Sequence, residues 1–323
     1  MSASRILALS GGIGGAKLAL GLYRVLPPDA LTVIVNTGDD FEHLGLTICP
    51  DVDTTLYTLA GLANAELGWG RRDETWTFMQ TLGVLGGETW FRLGDGDLAL
   101  HVERTRRLAG GELLSAIIAD VARRFGITAE ITPMSDDPVR TRVVTAEGEL
   151  SFQDYFVRRR CEPHLKSLRF EGAAAARPAP RAAAALTASG LDAIILCPSN
   201  PYLSIDPILA VPAMRTLLRA RGVPVIAVTP LVGGAAVKGP TAKIMTELGV
   251  PLTPVAVAQH YGALIDGFVL DIRDEAHAAS FSCPVHIADT LMTNIADRER
   301  LAREVLKFAA SLEFPGTETT PPA

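Results

Sequence analysis

The sequence predicts an α/β protein built on a parallel sheet flanked by helices, with a mainly helical insertion that also carries a β-hairpin. Three observations lead to this prediction. A short apolar strand is followed at once by a glycine-rich turn and a helix, a second strand comes next, and two more apolar, β-branched strands recur late in the chain. Because two parallel strands need a crossover connection, usually helical, this order favours a parallel sheet that the middle of the chain interrupts.

The first elements follow from the N-terminal forty residues. Residues 5–10 predict a buried strand, residues 11–15 a turn, and residues 16–26 a helix that ends at two prolines. Residues 31–35 predict the second strand. This strand, helix and strand form the opening unit of the sheet.

The middle third has a different pattern. Residues 64–126 predict helical segments joined by polar loops, and residues 142–146 and 150–156 flank a Glu-Gly turn as the strands of a hairpin do. The stretch at 172–188, rich in alanine and proline, predicts either a loop that leads into a helix or a flexible connector.

Two late segments return the chain to the sheet. Residues 192–197 and 223–228 predict strands, each followed by a loop rich in proline, glycine, serine or asparagine. We therefore divide the chain into a core, an insertion and a tail whose composition is typical of disorder. The core comprises residues 1–63 and 185–314, the insertion residues 64–184, and the tail residues 315–323.

Composition narrows the class of function. The chain has 323 residues, of which 48% are hydrophobic and 20% charged, and a net charge of -6, which argues against broad electrostatic binding to nucleic acid. The four cysteines lie far apart and predict no disulfide framework. Because we find neither a secretory signal nor an apolar run of about 18 residues, we expect a soluble, cytoplasmic protein with no membrane partner.

The glycine-rich turn is the first candidate site. Glycines allow close approach of a ligand to the backbone, and the free amides at a helix start attract phosphate. The alternative is a tight turn needed only to pack the helix on the strand. We expect Lys17 to be either a phosphate contact or a solvated helix residue. The residues assigned to phosphate here are Ser10, Gly11, Gly12, Gly14 and Lys17.

Four aspartates form the second candidate site. Asp39 and Asp40 follow the second strand, so they emerge at the same edge of the sheet as the glycine turn, and Asp51 and Asp53 come shortly after. Individual aspartates can be loop or helix caps, and Asp53 is placed to cap a helix over residues 54–60. As a group they suit Mg²⁺, which usually takes one or two carboxylates together with substrate phosphates.

Later loops supply further candidates. Arg92, before a glycine turn, is placed to act as a charged clamp, and the loops after the late strands reach the same edge of the sheet. The polar loop at residues 133–138 predicts either an Asx-turn or a ligand contact. The late-loop candidates are Ser199, Asn200, Lys238, Gly239 and Lys243.

With zinc and serine chemistry excluded, the candidate sites are made chiefly of glycine, aspartate and lysine residues. The six histidines show no zinc-ligand spacing, and the chain has no G-x-S-x-G motif, so neither a zinc hydrolase nor a serine nucleophile is indicated. Metal-assisted transfer of a phosphoryl-type group fits, since positioning and charge neutralisation supply most of its catalysis.

Seven motifs together resemble the 2-phospho-L-lactate and phosphoenolpyruvate transferase family, in the same order and over nearly the whole chain. They lie at residues 10–17, 36–40, 50–54, 92–95, 134–138, 198–201 and 288–292. The resemblance implies a Rossmann-like fold with an insertion, a homodimer, and a step in the biosynthesis of coenzyme F420. In that step a phospholactyl or phosphoenolpyruvyl group passes from a guanosine diphosphate ester to the deazariboflavin Fo, with release of GMP and help from Mg²⁺.

The resemblance also implies roles for individual residues. Asp53 and Arg92 are similar to the residues that contact Fo, with Asp53 and Asp51 as the catalytic candidates. The glycine turn, the Ser199 loop and the Gly239 loop then face the guanosine diphosphate part of the donor. The metal candidates are Asp39, Asp40 and Asp51.

Two other functions compete with this interpretation. A nucleotide-sugar-binding regulatory protein would share the glycine turn and the aspartate pair, but the motifs at residues 50–54 and 92–95 fit the transferase. A nicotinamide-dependent oxidoreductase would need an acidic residue at the end of the second strand to hold the ribose hydroxyls, where this chain has Asn36, Thr37 and Gly38.

Overall fold

A computed structural model describes residues 5–64, 68–236 and 239–312 of the chain. The strands are β1 (Arg5–Ser10), β2 (Leu31–Val35), β3 (Phe41–His43), β4 (Leu46–Ile48), β5 (Glu130–Pro133), β6 (Arg140–Thr145), β7 (Gly148–Ser151), β8 (Leu165–Glu171), β9 (Leu191–Leu196), β10 (Val225–Val228), β11 (Leu231–Val232), β12 (Ala235–Ala236), β13 (Gly267–Asp271) and β14 (Val285–Ala288). The α-helices are α1 (Gly12–Val25), α2 (Pro50–Leu59), α3 (Thr77–Val84), α4 (Asp95–Ala109), α5 (Leu114–Arg124), α6 (Pro180–Thr187), α7 (Asp206–Ala210), α8 (Pro212–Arg219), α9 (Thr241–Glu247), α10 (Pro254–Tyr261) and α11 (Ile295–Ser311). Short π-helical turns lie at Asp154–Arg158 and Pro201–Ile205, and 3₁₀ helices at Gly262–Leu264 and Ile272–Ser280.

The core of the fold is a seven-stranded parallel sheet in the order β14-β13-β10-β9-β1-β2-β5. The chain builds outward from β1 through β2 to β5, then returns to β9 and builds outward in the other direction. The order therefore reverses between β1 and β9. In open parallel sheets, ligands bind in the crevice at such a point, beyond the carboxyl ends of the strands. The predicted Rossmann-like α/β class is confirmed.

Helices cover both faces of the sheet because its strands alternate their side chains. In β1, Ile6 and Ala8 belong to a core with α1, α2, α5 and α11, whereas Leu7 and Leu9 belong to a core with α6, α8 and α10. At Gly21 of α1, an added Cβ would lie 2.1 Å from the carbonyl oxygen of Arg298 in α11. Glycine thus permits these two helices to touch. No helix in the described ranges is long and apolar enough to span a membrane.

Strands β1 and β2 have the predicted bounds, and β9 and β10 lie within two residues of theirs. The first helix differs. It begins at Gly12 instead of residue 16, so most of the predicted glycine turn is the first turn of α1. The backbone of Gly12 has a positive φ of 64°, a conformation that costs glycine little.

The stretch at residues 64–184, which the sequence analysis treats as one insertion, contributes to the core as well. Its strand β5 pairs with β2 at the edge of the sheet, and α5 packs in the same core as α1. The insertion is thus corrected to two segments on either side of α5 and β5, while its outer limits stay a prediction. In the first of these segments, α3 and α4 pack with β3 and β4 around Ile48, Met79 and Leu93.

The second segment is a three-stranded antiparallel sheet in the order β7-β6-β8. The predicted hairpin is confirmed as β6 and β7, although its second strand ends at Ser151 because the chain then enters a π-helical turn. The alanine- and proline-rich stretch leads into helix α6, as one of the two predictions had it. The predicted disordered tail at residues 315–323 lies outside the described residues.

Candidate active site

A cavity of about 920 Å³ opens at the carboxyl ends of the strands on either side of the β1–β9 crevice. Most of the candidates from the sequence line it, although they come from distant parts of the chain. The candidates that line it are Gly11, Gly12, Gly14, Lys17, Asp39, Asp51, Asp53, Arg92, Ser199, Asn200 and Gly239. Ser10 and Asp40 do not line it, and Lys238 lies outside the described residues.

The glycines at the start of α1 pack against the neighbouring loops with almost no spare room. An added Cβ on Gly11 would lie 2.6 Å from Asp51 Oδ2, and one on Gly14 would lie 2.4 Å from the carbonyl oxygen of Pro198. The Gly11 amide donates to Ser199 Oγ at 3.1 Å. Gly11, Gly12 and Gly14 also line the cavity wall. These glycines are therefore both tightly packed and exposed to a ligand in the cavity.

Two phosphate candidates have different positions from the glycines. Ser10 is fully buried behind them, and its Oγ has no hydrogen-bond partner among the described residues. Lys17 lines the cavity, and its Nζ donates to the carbonyl oxygen of Met292 at 2.9 Å. Lys17 therefore ties α1 to the loop after β14 and brings a positive charge to the cavity wall. A phosphate contact of either residue stays a prediction.

Asn36 connects the end of β2 to the first turn of α2. Its Nδ2 donates to Asp51 Oδ2 at 2.9 Å and to the carbonyl oxygen of Leu203 at 3.2 Å, while its Oδ1 accepts from the Gly38 amide at 2.8 Å. Every polar atom of this buried side chain is paired. Asn36 thus fixes the carboxylate of Asp51 beside the glycines.

Asp39 and Asp51 form a buried pair of carboxyl groups. Burial raises the pKa of Asp51 to about 6, against the hydrogen bond from Asn36. Burial and the neighbouring charge of Asp51 raise the pKa of Asp39 well above its usual value. Asp39 Oδ1 has no hydrogen-bond partner within the described ranges. A bound cation would relieve both the repulsion and the unpaired oxygen, so this pair fits a divalent metal.

Asp40 does not line the cavity of about 920 Å³, whereas Asp51 lines it and Asp39 lines both it and a neighbouring cavity. Asp40 lines this neighbouring cavity of about 870 Å³, and burial raises its pKa to about 7, partly offset by the charge of Arg140. The three predicted metal ligands are therefore not equivalent. The structure favours Asp39 and Asp51, which line the main cavity, over Asp40.

Asp53 lies in the first turn of α2, since this helix begins at Pro50. The predicted role of Asp53 as the cap of a helix beginning at Thr54 is therefore wrong. Its carboxylate accepts hydrogen bonds from both terminal nitrogens of Arg104, with 3.1 Å between Nη1 and Oδ2. Burial raises the pKa of Asp53, and the Arg104 charge opposes that shift.

Asp53 also belongs to another group of side chains that could hold a metal ion. Ligand atoms of Asp53, Asp97 and His101 lie within 4.8 Å of one another. The guanidinium of Arg104, however, already contacts both oxygens of Asp53 and supplies a positive charge at that place. This group therefore fits a metal less well than Asp39 and Asp51 do.

Arg92 lines the cavity and lies against an aromatic ring. Its guanidinium carbon lies 4.3 Å from the centre of the Trp76 ring, and Trp69, Trp90 and Phe91 also line the cavity. This arrangement offers a cation beside flat apolar surfaces, which suits a planar heteroaromatic ligand. Contact of Arg92 with Fo stays a prediction.

Asn200 has a clear structural role. Its Oδ1 accepts from the amides of Tyr202 and Leu203, and its Nδ2 donates to Thr241 Oγ1 at 3.0 Å. Asn200 therefore caps the π-helical turn after β9 and fixes the position of α9. Together with Ser199 it also lines the cavity, so its predicted nucleotide contact stays open.

Other sequence candidates have structural partners away from the cavity. The loop at residues 133–138 is held by Asp136, which accepts from the amide and hydroxyl of Ser115, and does not line the cavity. Lys243 pairs with Glu247 and donates to the carbonyl oxygen of Pro163 at 3.2 Å. Both sites serve the fold in this structure.

Several residues at the cavity were missed by the sequence analysis. Arg160 lines it, makes no hydrogen bond or ion pair with any described residue, and has a positive φ of 50°, followed by 59° at Cys161. Residues other than glycine rarely adopt this conformation, and it often marks functional sites. His101 and Arg104 were missed too, although their spacing with Asp97 puts all three on one face of a helix.

Comparisons with known proteins agree with the resemblance drawn from the motifs. Residues 6–309 match the family model described as 2-phospho-L-lactate transferase CofD. A phosphoenolpyruvate transferase of Streptomyces griseus is 42% identical, over 94% of this chain and 98% of the relative. A 2-phospho-L-lactate transferase of Methanosarcina mazei is 37% identical, over 94% of this chain and 99% of the relative.

Solved structures agree in fold. A UPF0052 family member from Bacillus halodurans covers 95% of this chain and 99% of its own, with a TM-score of 0.63 and 14% sequence identity. At that identity the likeness shows the fold alone, whereas the family model and the sequence relatives cover nearly the whole chain. The chain belongs to the 2-phospho-L-lactate transferase CofD family.

Proposed function

We propose that this protein transfers a phospholactyl or phosphoenolpyruvyl group from its guanosine diphosphate ester to the deazariboflavin Fo, releasing GMP, in the biosynthesis of coenzyme F420. One observation carries the proposal. A single cavity is lined by the start of α1 and the Asp39–Asp51 pair, and also by Asp53 and Arg92. The first set suits a diphosphate with a cation, and the second a planar acceptor with hydroxyl groups.

The reaction follows from this division of the cavity. The terminal ribityl hydroxyl of Fo attacks the phosphorus that bears the three-carbon acid, and the bond from this phosphorus to the bridging oxygen breaks. GMP leaves with the bridging oxygen, the acid becomes joined to Fo through a phosphodiester, and the hydroxyl proton is released. The start of α1 and Lys17, which line the cavity, would bind the negative charge that accumulates on the leaving group.

The metal assignment rests on the buried carboxyl pair. Asp39 and Asp51 would hold Mg²⁺, and the unpaired Asp39 Oδ1 supports this choice. When bound, the ion would neutralise charge on the diphosphate oxygens. Asn36 orients the Asp51 carboxylate through the hydrogen bond from its Nδ2.

Homodimeric assembly stays a prediction of the family resemblance, and a cytoplasmic location stays a prediction of the sequence. The three-carbon acid of the donor is left open among lactate, enolpyruvate and glycerate. The relatives named above carry both transferase names, phosphoenolpyruvate in Streptomyces griseus and 2-phospho-L-lactate in Methanosarcina mazei.

A regulatory protein that binds a nucleotide sugar without turnover is the competing function. The test is a steady-state assay with purified protein, Fo, Mg²⁺ and each of the three guanosine diphosphate esters in turn. We expect GMP release that depends on Fo and on one preferred ester. If every ester binds but none gives GMP, the regulatory function is favoured and the transferase proposal is wrong.

A further inference from the structure

Arg104 is an arginine that the fold buries almost completely, with 1% of its surface exposed. It lies on α4 and reaches across to α2, where its guanidinium contacts both carboxylate oxygens of Asp53, and it also donates to the carbonyl oxygen of Thr47 at 3.3 Å. Removing an arginine from water is costly, and a bidentate carboxylate partner is the arrangement that best offsets the cost. Arg104 therefore fixes the orientation of the Asp53 carboxylate.

A second side chain on the same face of α4 supports this arrangement. His101 Nδ1 lies 3.4 Å from Arg104 Nη1 and 3.6 Å from Asp53 Oδ2, and its Nε2 lies 3.3 Å from Asp97 Oδ2. Asp97 Oδ1 in turn accepts from Tyr57 OH at 2.6 Å. A side chain of α4 thus donates to α2, and a side chain of α2 donates to α4. These contacts between the two helices fix the Asp53 carboxylate.

The residues of this network differ in whether they line the cavity. Asp53, Asp97, His101 and Tyr57 line the cavity, whereas Arg104 does not. A substrate in the cavity can therefore touch Asp53 but not Arg104. Whatever Arg104 contributes to the reaction must act through the carboxylate that it holds.

We propose that Arg104 is a positioning residue that locks the Asp53 carboxylate in the orientation needed to bind a hydroxyl group of the acceptor; this inference rests on the proposed function. A carboxylate has about four lone-pair sites, so two hydrogen bonds from Arg104 leave room for a hydroxyl donor. A side chain that is already ordered loses little conformational freedom when the acceptor binds. Partners that orient metal ligands in this way typically contribute about tenfold to a hundredfold to metal affinity or activity, and we expect an effect of similar size on Fo binding.

The test compares Arg104→Lys, which keeps the charge but not the planar fork, with Arg107→Lys as a matched control. Arg107 lies on the same helix and pairs with Glu112 and Asp120, away from Asp53. We expect Arg104→Lys to weaken Fo binding, measured by fluorescence titration without donor, by about tenfold or more. Its KM for the donor should stay within about twofold of wild type, and Arg107→Lys should change neither constant.

A second variant separates positioning from a structural role. Arg104→Ala leaves a space the size of a guanidinium group, so added guanidinium ion should restore part of its Fo affinity, while added sodium ion at the same ionic strength should not. Thermal melting shows whether each variant is folded. If folded Arg104→Lys binds Fo as wild type does, or if guanidinium raises the melting temperature of Arg104→Ala without restoring Fo affinity, the inference is wrong.

These outcomes differ from those that test the proposed function. Wild-type turnover reports on the transferase, whereas the ratio of variant to wild-type Fo dissociation constants reports on Arg104. A wild-type protein that binds Fo but turns over no ester would overturn the proposed function and leave the Arg104 comparison readable. A wild-type protein that does not bind Fo would overturn both.

Discussion

The side-chain amide of Asn36 holds the carboxylate of Asp51, with 2.9 Å between Nδ2 and Oδ2, and so joins the end of β2 directly to the first turn of α2. Gly11 packs against the same carboxylate oxygen, where an added Cβ would lie 2.6 Å away. The glycine segment, the strand end and the helix start therefore form one unit. Disturbing any of the three should disturb the carboxylate pair at the cavity.

The first prediction concerns Asn36→Leu, which keeps the approximate shape of the side chain but removes its hydrogen bonds. Because Asp51 and the Gly38 amide then lose buried partners, we expect the free energy of unfolding to fall by about 1–3 kcal/mol. Urea denaturation measures the change. A loss below about 0.5 kcal/mol would mean that water replaces the amide at little cost.

The second prediction concerns Gly11→Ala. The added methyl group would collide with Asp51 and Ser204, so we expect a loss of about 1–3 kcal/mol in stability together with weaker donor binding. Gly222→Ala is the control, since an added Cβ there meets no atom within 4 Å. Equal effects of the two substitutions in calorimetry and donor titration would show that the packing at Gly11 is not special.

The third prediction is a dependence of stability on pH. Burial raises the pKa of Asp51 from 3.8 to about 6 and that of Asp40 to about 7, so the folded state holds protons that the unfolded state has already released. Without metal, the free energy of unfolding should therefore fall as the pH rises from about 4 to about 7, by about 2 kcal/mol or more. Urea denaturation at pH 5 and pH 8 measures this.

Mg²⁺ and Asp39→Asn supply the control for that dependence. We expect Mg²⁺ to stabilise the wild type more at pH 8 than at pH 5, because the carboxylates must be ionised to bind it. Asp39→Asn removes one carboxyl group of the buried pair, so it should stabilise the metal-free protein at pH 8 and abolish the Mg²⁺ effect. Equal stabilisation of this variant by Mg²⁺ would move the metal site elsewhere.

Arg160 gives the fourth prediction, since it lines the cavity and pairs with no described residue. We expect Arg160→Met to raise the KM for the anionic donor by about tenfold, because one charge-assisted contact is lost, and to leave stability nearly unchanged. The control is Arg159→Met, a neighbour that pairs with Asp154 and Glu147. Similar KM values for the two variants would remove Arg160 from the site.

The sequence was sufficient for the centre of the sheet and for one side of the site. Strands β1 and β2 are short, apolar and bounded by glycine or proline, so they are visible without a structure. Because the carboxyl ends of parallel strands share an edge, the grouping of the glycine segment with Asp39 and Asp51 also followed. These features depend on neighbours in sequence and on one rule of topology.

The rest of the site depends on contacts between distant residues. Arg104 meets Asp53 from 51 positions away, and no local pattern indicates which carboxylate a buried arginine will reach. Strand β5 is only four residues long and ends in a proline, so its pairing with β2 could not be inferred. Asp40 likewise precedes the β3–β4 hairpin, whose two strands the sequence analysis did not predict.

The most direct test of the transferase is product analysis by ³¹P NMR after incubation with Fo, Mg²⁺ and the three guanosine diphosphate esters separately. We expect that, for at least one ester, the two diphosphate signals disappear and are replaced by equal amounts of GMP and a phosphodiester of Fo. Neither product should form when Fo is left out. Diphosphate signals that persist with every ester, under conditions where Fo and the ester both bind, would contradict this expectation.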